Sequence, residues 1–400
     1  MSRQQYAWLL VGLLWVVAFL NYVDRQVIFS LFPLLEKEFH LTGGQLGLLS
    51  TVFVWVYGLV GPFTGYLGDR VGRVRMIVAS LLIWSLVTWA TGHVRSYGEL
   101  VATRVLMGLS EACYLPAALA LIADHHGGKT RSLATGLHQS GLYAGIVVGG
   151  VVGGWMGEHY GWRSAFIPLG FLGIVYTAIF VWGLRRASNS GKRAVQPNFA
   201  GSLRELSAAP GFWRLTAVFG AVGLANWLAY TWLPLYLYER FRMSLTSAGF
   251  SATFYIQPAS FAGILIGGVS ADYWGTRYPK GRIWVQAAGL AAAAPFLFLI
   301  GAAGAQMLLI IALVTFGIGR GIYDSNTMPV LCQVAPAEYR ATGYGIFNFF
   351  SCVVGGVAAG AAGFLKSVIG LGVAFQVAAV ILVGACVALL TVRPNPEVDA

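Results

Sequence analysis

Apolar stretches long enough to cross a lipid bilayer recur along this chain from one end to the other. A hydrocarbon core about 30 Å thick needs about 20 predominantly apolar residues in one helix. Of the 400 residues, 57% are hydrophobic and only 10% are charged, whereas about a quarter of the residues in a soluble domain are charged. The sequence excludes an ordinary water-soluble enzyme. Because open sheet edges cannot face lipid and no short alternating strands occur, it predicts an all-α membrane protein.

These apolar segments form two sets of six on either side of a polar region. The first set lies near residues 7–34, 44–66, 74–93, 98–122, 132–156 and 162–183, and the second near 212–238, 246–270, 282–301, 305–333, 340–364 and 370–392. The intervening residues are rich in Lys, Arg, Ser and Gly, which is typical of a solvated linker at a membrane surface. We expect an N-terminal six-helix bundle over 1–183, a cytoplasmic linker over 184–211 and a C-terminal six-helix bundle over 212–400.

The positions of the basic residues predict the orientation in the membrane. If the N-terminus is inside, 17 of the 26 lysines and arginines lie on the inner side and three lie within helices. The remaining six lie outside: Lys37, Arg95, Arg163, Arg240, Arg242 and Lys366. Positive loops face the cytoplasm, so both termini are predicted to be cytoplasmic. Anionic lipid facing this basic rim explains the net charge of +11, and no nucleic-acid partner is expected.

Two short patterns recur about half a chain apart. The spacing of Gly65, Asp69 and Gly72 is repeated by Gly268, Asp272 and Gly275, an offset of 203 residues. The tripeptide Ala-Thr-Gly at 134–136 returns at 341–343, an offset of 207 residues. Duplication of a six-helix unit explains both patterns, and parallel repeats of this size occur in one large class of transporters.

The segment at residues 65–75, GYLGDRVGRVR, resembles the signature between helices 2 and 3 of the major facilitator superfamily. This resemblance spans nearly the whole chain and implies twelve transmembrane helices in two pseudo-symmetric six-helix bundles. Glycines permit a tight turn there, and Asp69 can pair with Arg73 or Arg70 when the inner gate is shut. The resemblance assigns a gating motif to Gly65, Asp69, Arg70, Gly72, Arg73 and, in the second copy, Asp272.

A narrower resemblance comes from helices 1 and 4. Asn21-Tyr22-Val23-Asp24-Arg25, together with Arg104, Gly108 and Glu111, is similar to the anion:cation symporter family, which includes hexuronate, galactonate and sialic-acid carriers. Spinster lysolipid transporters share much of this pattern. The resemblance implies a secondary active transporter that carries a small organic anion, such as a sugar acid, by alternating access. A lysolipid or another amphiphile is the alternative cargo.

Charged residues inside a bilayer cost several kcal/mol unless they are paired or hydrated, so they are candidates for function. We expect Asp24 and Glu111 to carry the coupling proton in turn, and Arg25 or Arg104 to bind the substrate carboxylate through the guanidinium fork. Helical rise places Glu111 near the midplane, with Asp24 and Arg104 at a shared outer depth where the two could pair. In the alternative interpretation, these charges form a static network that fixes helices 1 and 4. Arg320 and Asp324 are spaced i,i+4 and are either an intrahelical pair or part of a site.

Further polar and aromatic residues are candidates for a substrate cavity. His138 either titrates near neutrality or faces water near the cytoplasmic end. Tyr57, Tyr114 and Trp232 could line a cavity for a sugar ring, although aromatic residues in membrane proteins commonly serve as packing or interfacial anchors. The other candidates, several of which could instead hold helices together, are Gln139, Tyr143, Asn226, Tyr230, Gln257, Asn326 and Asn348.

Enzyme chemistry has no support in this sequence. It contains no GxSxG motif, no metal-spaced His or Cys set and no phosphate-binding glycine loop. The four cysteines lie in apolar stretches without metal or disulfide spacing, so they are interpreted as buried apolar residues. We expect no cofactor and no metal, a proton as coupling ion, and a monomer in the bacterial inner membrane.

Overall fold

The computed structural model describes residues 2–126, 130–184 and 199–394. Within these ranges it describes no side chains for residues 3, 62, 65–70, 132, 199, 200 and 337. All regular structure in the described part of the chain is helical. Half of the predicted linker over 184–211, residues 185–198, lies outside the described residues, which resume at the start of a helix at Phe199.

In the described part of the chain, eight α-helices lie before residue 185 and seven lie after residue 198, and the first of these seven falls within the predicted linker. The first eight are α1 (Arg3–Ser30), α2 (Phe32–Phe39), α3 (Gly43–Val71), α4 (Arg73–Thr91), α5 (Tyr97–Glu111), α6 (Tyr114–His125), α7 (Arg131–Tyr160) and α8 (Arg163–Gly183). The others are α9 (Phe199–Ala208), α10 (Phe212–Phe241), α11 (Leu245–Phe254), α12 (Gln257–Gly275), α13 (Gly281–Ala302), α14 (Gln306–Cys332) and α15 (Arg340–Leu390).

Eleven helical segments of the described chain are long and apolar enough to cross a membrane. The last of them, α15, has 51 residues and would extend about 77 Å at 1.5 Å per residue, more than twice the bilayer core. Gly370 interrupts it with φ 76° and ψ 157°, a conformation that glycine adopts far more readily than other residues. The break separates two spans, so the prediction of twelve transmembrane helices is confirmed.

Three predicted spans are interrupted where the sequence suggested one continuous helix. The span near 7–34 breaks before Pro33, the span near 98–122 breaks between α5 and α6, and the span near 246–270 breaks between α11 and α12. Pro116 and Pro258 lie just after the second and third breaks. A proline ring clashes with the carbonyl four residues earlier and lacks an N–H donor, which accounts for these positions. Glu111 ends α5 and Gln257 begins α12, so two candidate residues flank breaks.

The chain divides into two compact units. The first contains Met1–Ala194 and Leu237–Thr253, and the second contains Val195–Tyr236 and Phe254–Ala400. The segment Leu237–Thr253 joins the first unit through close contacts with α7. For example, a Cβ placed on Gly150 would lie 2.7 Å from the carbonyl oxygen of Gly249. The predicted bundle boundaries at 183 and 212 stay a prediction.

A row of glycines on α7 brings α1 unusually close. A Cβ on Gly145 would lie 2.5 Å from the Phe19 carbonyl oxygen, and one on Gly149 would lie 2.7 Å from the Val23 carbonyl oxygen. Small residues at four-residue spacing allow such backbone contact in lipid-embedded helices. This packing uses one face of α1, and Arg25 on the same helix contacts α3 and α5.

Candidate functional site

Among the described residues of the first unit, a buried ion pair joins α1 to the end of α5. Arg25 Nη2 and Nε donate to the same Glu111 oxygen, Oε2, at 2.7 and 3.0 Å. The Glu111 side chain has no exposed surface and the Arg25 side chain is 10% exposed. The shorter of these distances is typical of a charge-assisted hydrogen bond. Two residues 86 positions apart in sequence are therefore held together inside a membrane-spanning unit.

Aromatic rings surround the Arg25 guanidinium. Its carbon lies 4.6 Å from the Tyr22 ring centroid, 5.0 Å from that of Phe53 and 4.7 Å from that of Tyr57. Each distance is within the range of a cation–π interaction. The rings of α3 can approach because Gly108 on α5 has no side chain, since a Cβ there would lie 2.7 Å from the Phe53 carbonyl oxygen. Gly108 thus permits the close helix packing beside the pair.

The other two charges of the cluster are held by threonines of α4. Thr88 donates to Asp24 Oδ2 at 3.1 Å, and Arg104 Nη2 donates to Thr91 Oγ1 at 3.4 Å. Asp24 and Arg104 are buried and interact electrostatically with each other and with Glu111. In the described part of the chain, no ion pair within 4.0 Å joins Asp24 to Arg104. The predicted direct pairing of these two residues is therefore wrong.

The reason for this difference is the direction of the α1 side chains. Asp24 and Arg25 are adjacent, so they project from the helix about 100° apart. Asp24 meets α4, whereas Arg25 meets α3 and α5. The arginine side chain is also long enough to span the difference in membrane depth between the backbones of Arg25 and Glu111. Helical rise alone places these two residues at different depths and so does not predict their contact.

Three buried polar atoms of the cluster have no partner with good hydrogen-bond geometry among the described residues: Asn21 Nδ2, Arg104 Nε and Glu111 Oε1. The Asn21 side chain still interacts with the Glu111 carboxylate, so these two residues form a weak contact. A buried donor without a partner costs about 1–3 kcal/mol. Arg104 Nε therefore remains available to a ligand or to water.

A second charge cluster lies in the second unit, between α10 and α14. Arg320 Nη2 donates to the Tyr230 hydroxyl at 2.5 Å, and the guanidinium carbon lies 5.2 Å from that ring. Arg320 Nε lies 3.4 Å from Asp324 Oδ2, one turn along the same helix. The predicted i,i+4 pair is therefore formed, and Tyr230 is added to it.

Three aromatic or imidazole candidates are buried in packing. Tyr114 donates to the Leu14 carbonyl at 2.8 Å and its hydroxyl lies 2.8 Å from His138 Nε2. His138 has no exposed surface, so the expectation that it faces water is wrong. Trp232 is likewise fully buried and donates to the Ala359 carbonyl at 2.9 Å. Helix packing accounts for these positions, whereas Tyr57 lies at the charge cluster.

The polar candidates take different positions. Asn326 donates to the carbonyls of Gly267 and Ile322 at 3.4 and 3.0 Å and so links α14 to α12. Gln257 is buried at the start of α12. Four others are half-buried: Gln139 and Tyr143 on α7, Asn226 on α10 and Asn348 on α15. The substrate-binding role of all six stays a prediction.

Part of the gating motif is described. Gly72 adopts φ 97° immediately before α4, which explains the need for glycine there. Arg73 donates to the Asp124 carboxylate and, at 3.1 Å, to the Ala120 carbonyl on α6. Asp272 pairs with Arg282 at 3.1 Å. The side chains of Asp69 and Arg70, with Gly65, lie outside the described residues, so the expected pairing of Asp69 stays a prediction.

Sequence reasoning missed the residues that complete the first cluster. Thr88 and Thr91 bind Asp24 and Arg104, and Phe53 lies over Arg25. The two threonines continue the i,i+3 spacing of Ser85 in a span that is mostly apolar, and this row of hydroxyls is the signal that the sequence offers. Phe53 has no such signal because an aromatic residue in an apolar span predicts only burial.

Comparison with known proteins identifies a family. The family model described as Major Facilitator Superfamily matches residues 14–360. A solved structure of a bacterial homolog to the human lysosomal transporter Spinster, in an inward-facing and unoccupied conformation, superposes with a TM-score of 0.82. It is 21% identical and covers 98% of this chain and 99% of its own. At this identity the superposition establishes the shared fold, and the family match confirms the resemblance inferred from the helix 2–3 motif.

Two curated relatives show the range of the proteins similar to this chain. An "MFS-type efflux pump" of Mycolicibacterium smegmatis (strain ATCC 700084 / mc(2)155) is 27% identical, over 98% of this chain and 94% of its own. A "probable galactarate/D-glucarate transporter" of Escherichia coli (strain K12) is 26% identical, over 90% of this chain and 88% of its own. Both names describe transporters.

Proposed function

Because this chain belongs to the Major Facilitator Superfamily, we propose that it is a proton-coupled symporter of a small organic anion, a sugar acid or another carboxylate, working by alternating access. The chain is a multi-pass membrane transporter and not an enzyme. The observation that carries the proposal is the buried Arg25–Glu111 pair. An arginine held by a single carboxylate can exchange that partner for the carboxylate of a substrate.

The coupling mechanism follows from this exchange. Protonation of Glu111 removes its negative charge and releases the Arg25 guanidinium, whose two N–H groups at Nε and Nη2 now point to one carboxylate oxygen. A substrate carboxylate takes that place, and the aromatic rings around Arg25 keep the cation stabilised during the exchange. Deprotonation of Glu111 restores the original pair and expels the substrate. Proton and anion occupancy are thereby linked at one arginine.

Asp24 and Arg104 support this exchange. Asp24 accepts a hydrogen bond from Thr88, and in the described part of the chain it has no ion pair that protonation would break. It is the second proton carrier in the proposal. Arg104 interacts electrostatically with both carboxylates and stabilises whichever of the two is charged. In a static network the Nε donor of Arg104 would be paired, whereas it has no hydrogen-bond partner among the described residues.

The sugar-acid cargo is supported by the relative named as a "probable galactarate/D-glucarate transporter". The names of the relatives do not indicate the direction of transport, because a relative named as an efflux pump is equally similar. We propose that the protein acts as a monomer in the bacterial inner membrane, with both termini in the cytoplasm, and requires no cofactor besides the coupling proton.

The proposal is tested with purified protein in liposomes that contain a pH-sensitive dye. An inward proton gradient should drive accumulation of D-glucarate, with acidification of the lumen that depends on the substrate. D-glucitol, which has the same carbon chain without acid groups, should neither accumulate nor move protons, and a protonophore should abolish accumulation. Accumulation of D-glucarate that is independent of the proton gradient would contradict symport. Alkalinisation of the lumen during uptake would also contradict it.

A thermal-shift screen of the same preparation separates the two classes of cargo. A ligand that binds the folded state raises its melting temperature. Sugar acids should stabilise the protein, and lysolipids should not do so beyond the effect of matched detergent. Stabilisation by lysolipids alone would favour an amphiphile transporter.

A further inference from the structure

The second unit contains an arginine that the coupling mechanism does not use. Arg320 lies in the middle of α14, and its side chain is 10% exposed. An arginine in a membrane-spanning helix is costly to retain. Its carboxylate partner, Asp324, is on the same helix, so their ion pair joins no two helices and does not stabilise helix packing. Arg320 also contacts a neighbouring helix, because it donates a hydrogen bond to Tyr230 on α10.

The hydroxyl group of Tyr230 accepts a hydrogen bond from Arg320 and can still donate one. A guanidinium has only donors, so the Tyr230 oxygen accepts from Arg320 Nη2. The phenol O–H hydrogen therefore remains to be donated, and it has no acceptor among the described residues. Two donor groups, a guanidinium and a phenol, are thus adjacent, an arrangement that suits a carboxylate, which accepts at both oxygens.

Asp324 holds Arg320 loosely. Their nearest atoms are 3.4 Å apart, longer than the 2.7–2.9 Å typical of a charge-assisted hydrogen bond. The Asp324 side chain is 29% exposed, so the protein does not enclose its carboxylate. An internal carboxylate that lies at a longer distance and is not enclosed is one that an external carboxylate can replace.

We propose that Arg320 and Tyr230 form an anion-binding site in the second unit, where a carboxylate of an organic-acid ligand replaces Asp324 on the guanidinium. This inference rests on the proposed function, since it requires an organic anion as cargo. It adds a recognition residue outside the proton-coupling cluster. Asp324 acts as an internal competitor, which keeps Arg320 neutralised when no ligand is bound.

If Asp324 competes with the ligand for Arg320, substitutions of these two residues should change ligand affinity in opposite directions. Equilibrium binding of D-glucarate to purified full-length protein is measured by calorimetry, with D-glucitol as the neutral ligand. Arg320→Gln should weaken D-glucarate binding by about 10-fold or more, the effect of losing a charged hydrogen bond. Asp324→Asn should tighten binding by a few-fold, because the ligand no longer displaces a charged partner. Arg320→Lys should weaken binding less than Arg320→Gln, because it keeps the charge but loses the fork.

Arg277 provides the matched control. It is an arginine of the same unit that stacks on a tyrosine, with its guanidinium carbon 3.6 Å from the Tyr273 ring, but it lies at an exposed helix end. Arg277→Gln should leave D-glucarate binding unchanged. Melting temperatures of all variants show whether each is folded, and the Asp324→Asn and Arg320→Lys results decide the matter if Arg320→Gln does not fold.

A purely structural role for Arg320 makes a different prediction. In that case Asp324→Asn would leave affinity unchanged or weaken it, and either result would overturn the inference. Wild-type affinity in folded Arg320→Gln, with binding lost in Arg25→Gln, would overturn it while leaving the proposed function intact. Failure of the wild-type protein to bind any organic acid would overturn the proposed function itself, and the inference with it.

Discussion

Two arginines inside membrane-spanning helices, Arg25 and Arg320, are paired with carboxylates in different ways. Arg25 reaches across from α1 to Glu111 on α5 at 2.7 Å, with a carboxylate that has no exposed surface. Arg320 is 3.4 Å from Asp324 on its own helix, with a carboxylate that is 29% exposed. The rings of Tyr22, Phe53 and Tyr57 lie around Arg25, and the Tyr230 ring lies beside Arg320. In the proposed mechanism, the enclosed pair between helices opens when its carboxylate is protonated, whereas the pair within one helix opens when a ligand carboxylate displaces Asp324.

The largest expected effect follows removal of the arginine in the first pair. Arg25→Gln leaves Glu111 buried without its partner, a change that costs about 3–5 kcal/mol in comparable pairs. It also removes the proposed carboxylate anchor. Binding of D-glucarate should fall by about 100-fold or more, and gradient-driven uptake should be lost, as measured by calorimetry and in liposomes.

An exposed pair in the same unit provides the control for this substitution. Arg163 pairs with Glu38 at 2.6 Å, and both side chains are more than a third exposed. Such a pair contributes about 0–1 kcal/mol, so Arg163→Gln should bind D-glucarate as the wild type does. Wild-type affinity in Arg25→Gln would show that the Arg25–Glu111 pair does not anchor the substrate carboxylate.

An intermediate effect is expected from the helix packing beside the first pair. A Cβ added by Gly108→Ala would lie 2.7 Å from a backbone oxygen of α3, so the helices must move apart. Overpacking of this kind costs about 1–3 kcal/mol, and uptake should fall by about 10-fold with a lower melting temperature. Gly98→Ala on the same helix has open space around the new Cβ and should keep wild-type uptake. Equal uptake by the two variants would show that transport does not require the close approach of α5 to α3.

The smallest effect concerns the aromatic rings of the first cluster. Tyr57→Leu removes one ring from Arg25 and should weaken D-glucarate binding by a few-fold, since a cation–π interaction contributes about 0.5–2 kcal/mol. Tyr57→Phe keeps the ring and should bind within about 2-fold of wild type, a difference below 0.5 kcal/mol. A larger loss in Tyr57→Phe than in Tyr57→Leu would assign the effect to the hydroxyl instead.

The sequence allowed the membrane fold to be predicted because hydropathy and charge follow directly from the bilayer. The twelve spans and the repeated helix 2–3 pattern depend only on the residues present in each segment. The helix breaks at Glu111 and before Gln257 were missed, because a proline inside an apolar span is compatible with either a kinked or a divided helix. The sequence predicts two spans near 340–364 and 370–392, and the structure breaks the long helix at Gly370, the first residue of the second of these spans.

The site could be predicted in its membership but not in its pairing. Asp24, Arg25, Arg104 and Glu111 stand out as charges in apolar helices, and all four are buried or nearly so. Which carboxylate binds which arginine depends on side-chain direction and reach, and neighbouring residues on α1 face different helices. Depth along the helix axis alone favoured Asp24 with Arg104, whereas the structure joins Arg25 to Glu111.

The central claim is that protonation of Glu111 couples proton movement to transport. The direct measurement compares gradient-driven accumulation with counterflow of labelled D-glucarate in liposomes that contain the Glu111→Gln variant. Glu99→Gln, at an exposed position on the same helix, provides the control. Glu111→Gln should lose accumulation and retain counterflow, because a permanently neutral side chain frees Arg25 but carries no proton. Wild-type accumulation by Glu111→Gln would contradict the mechanism.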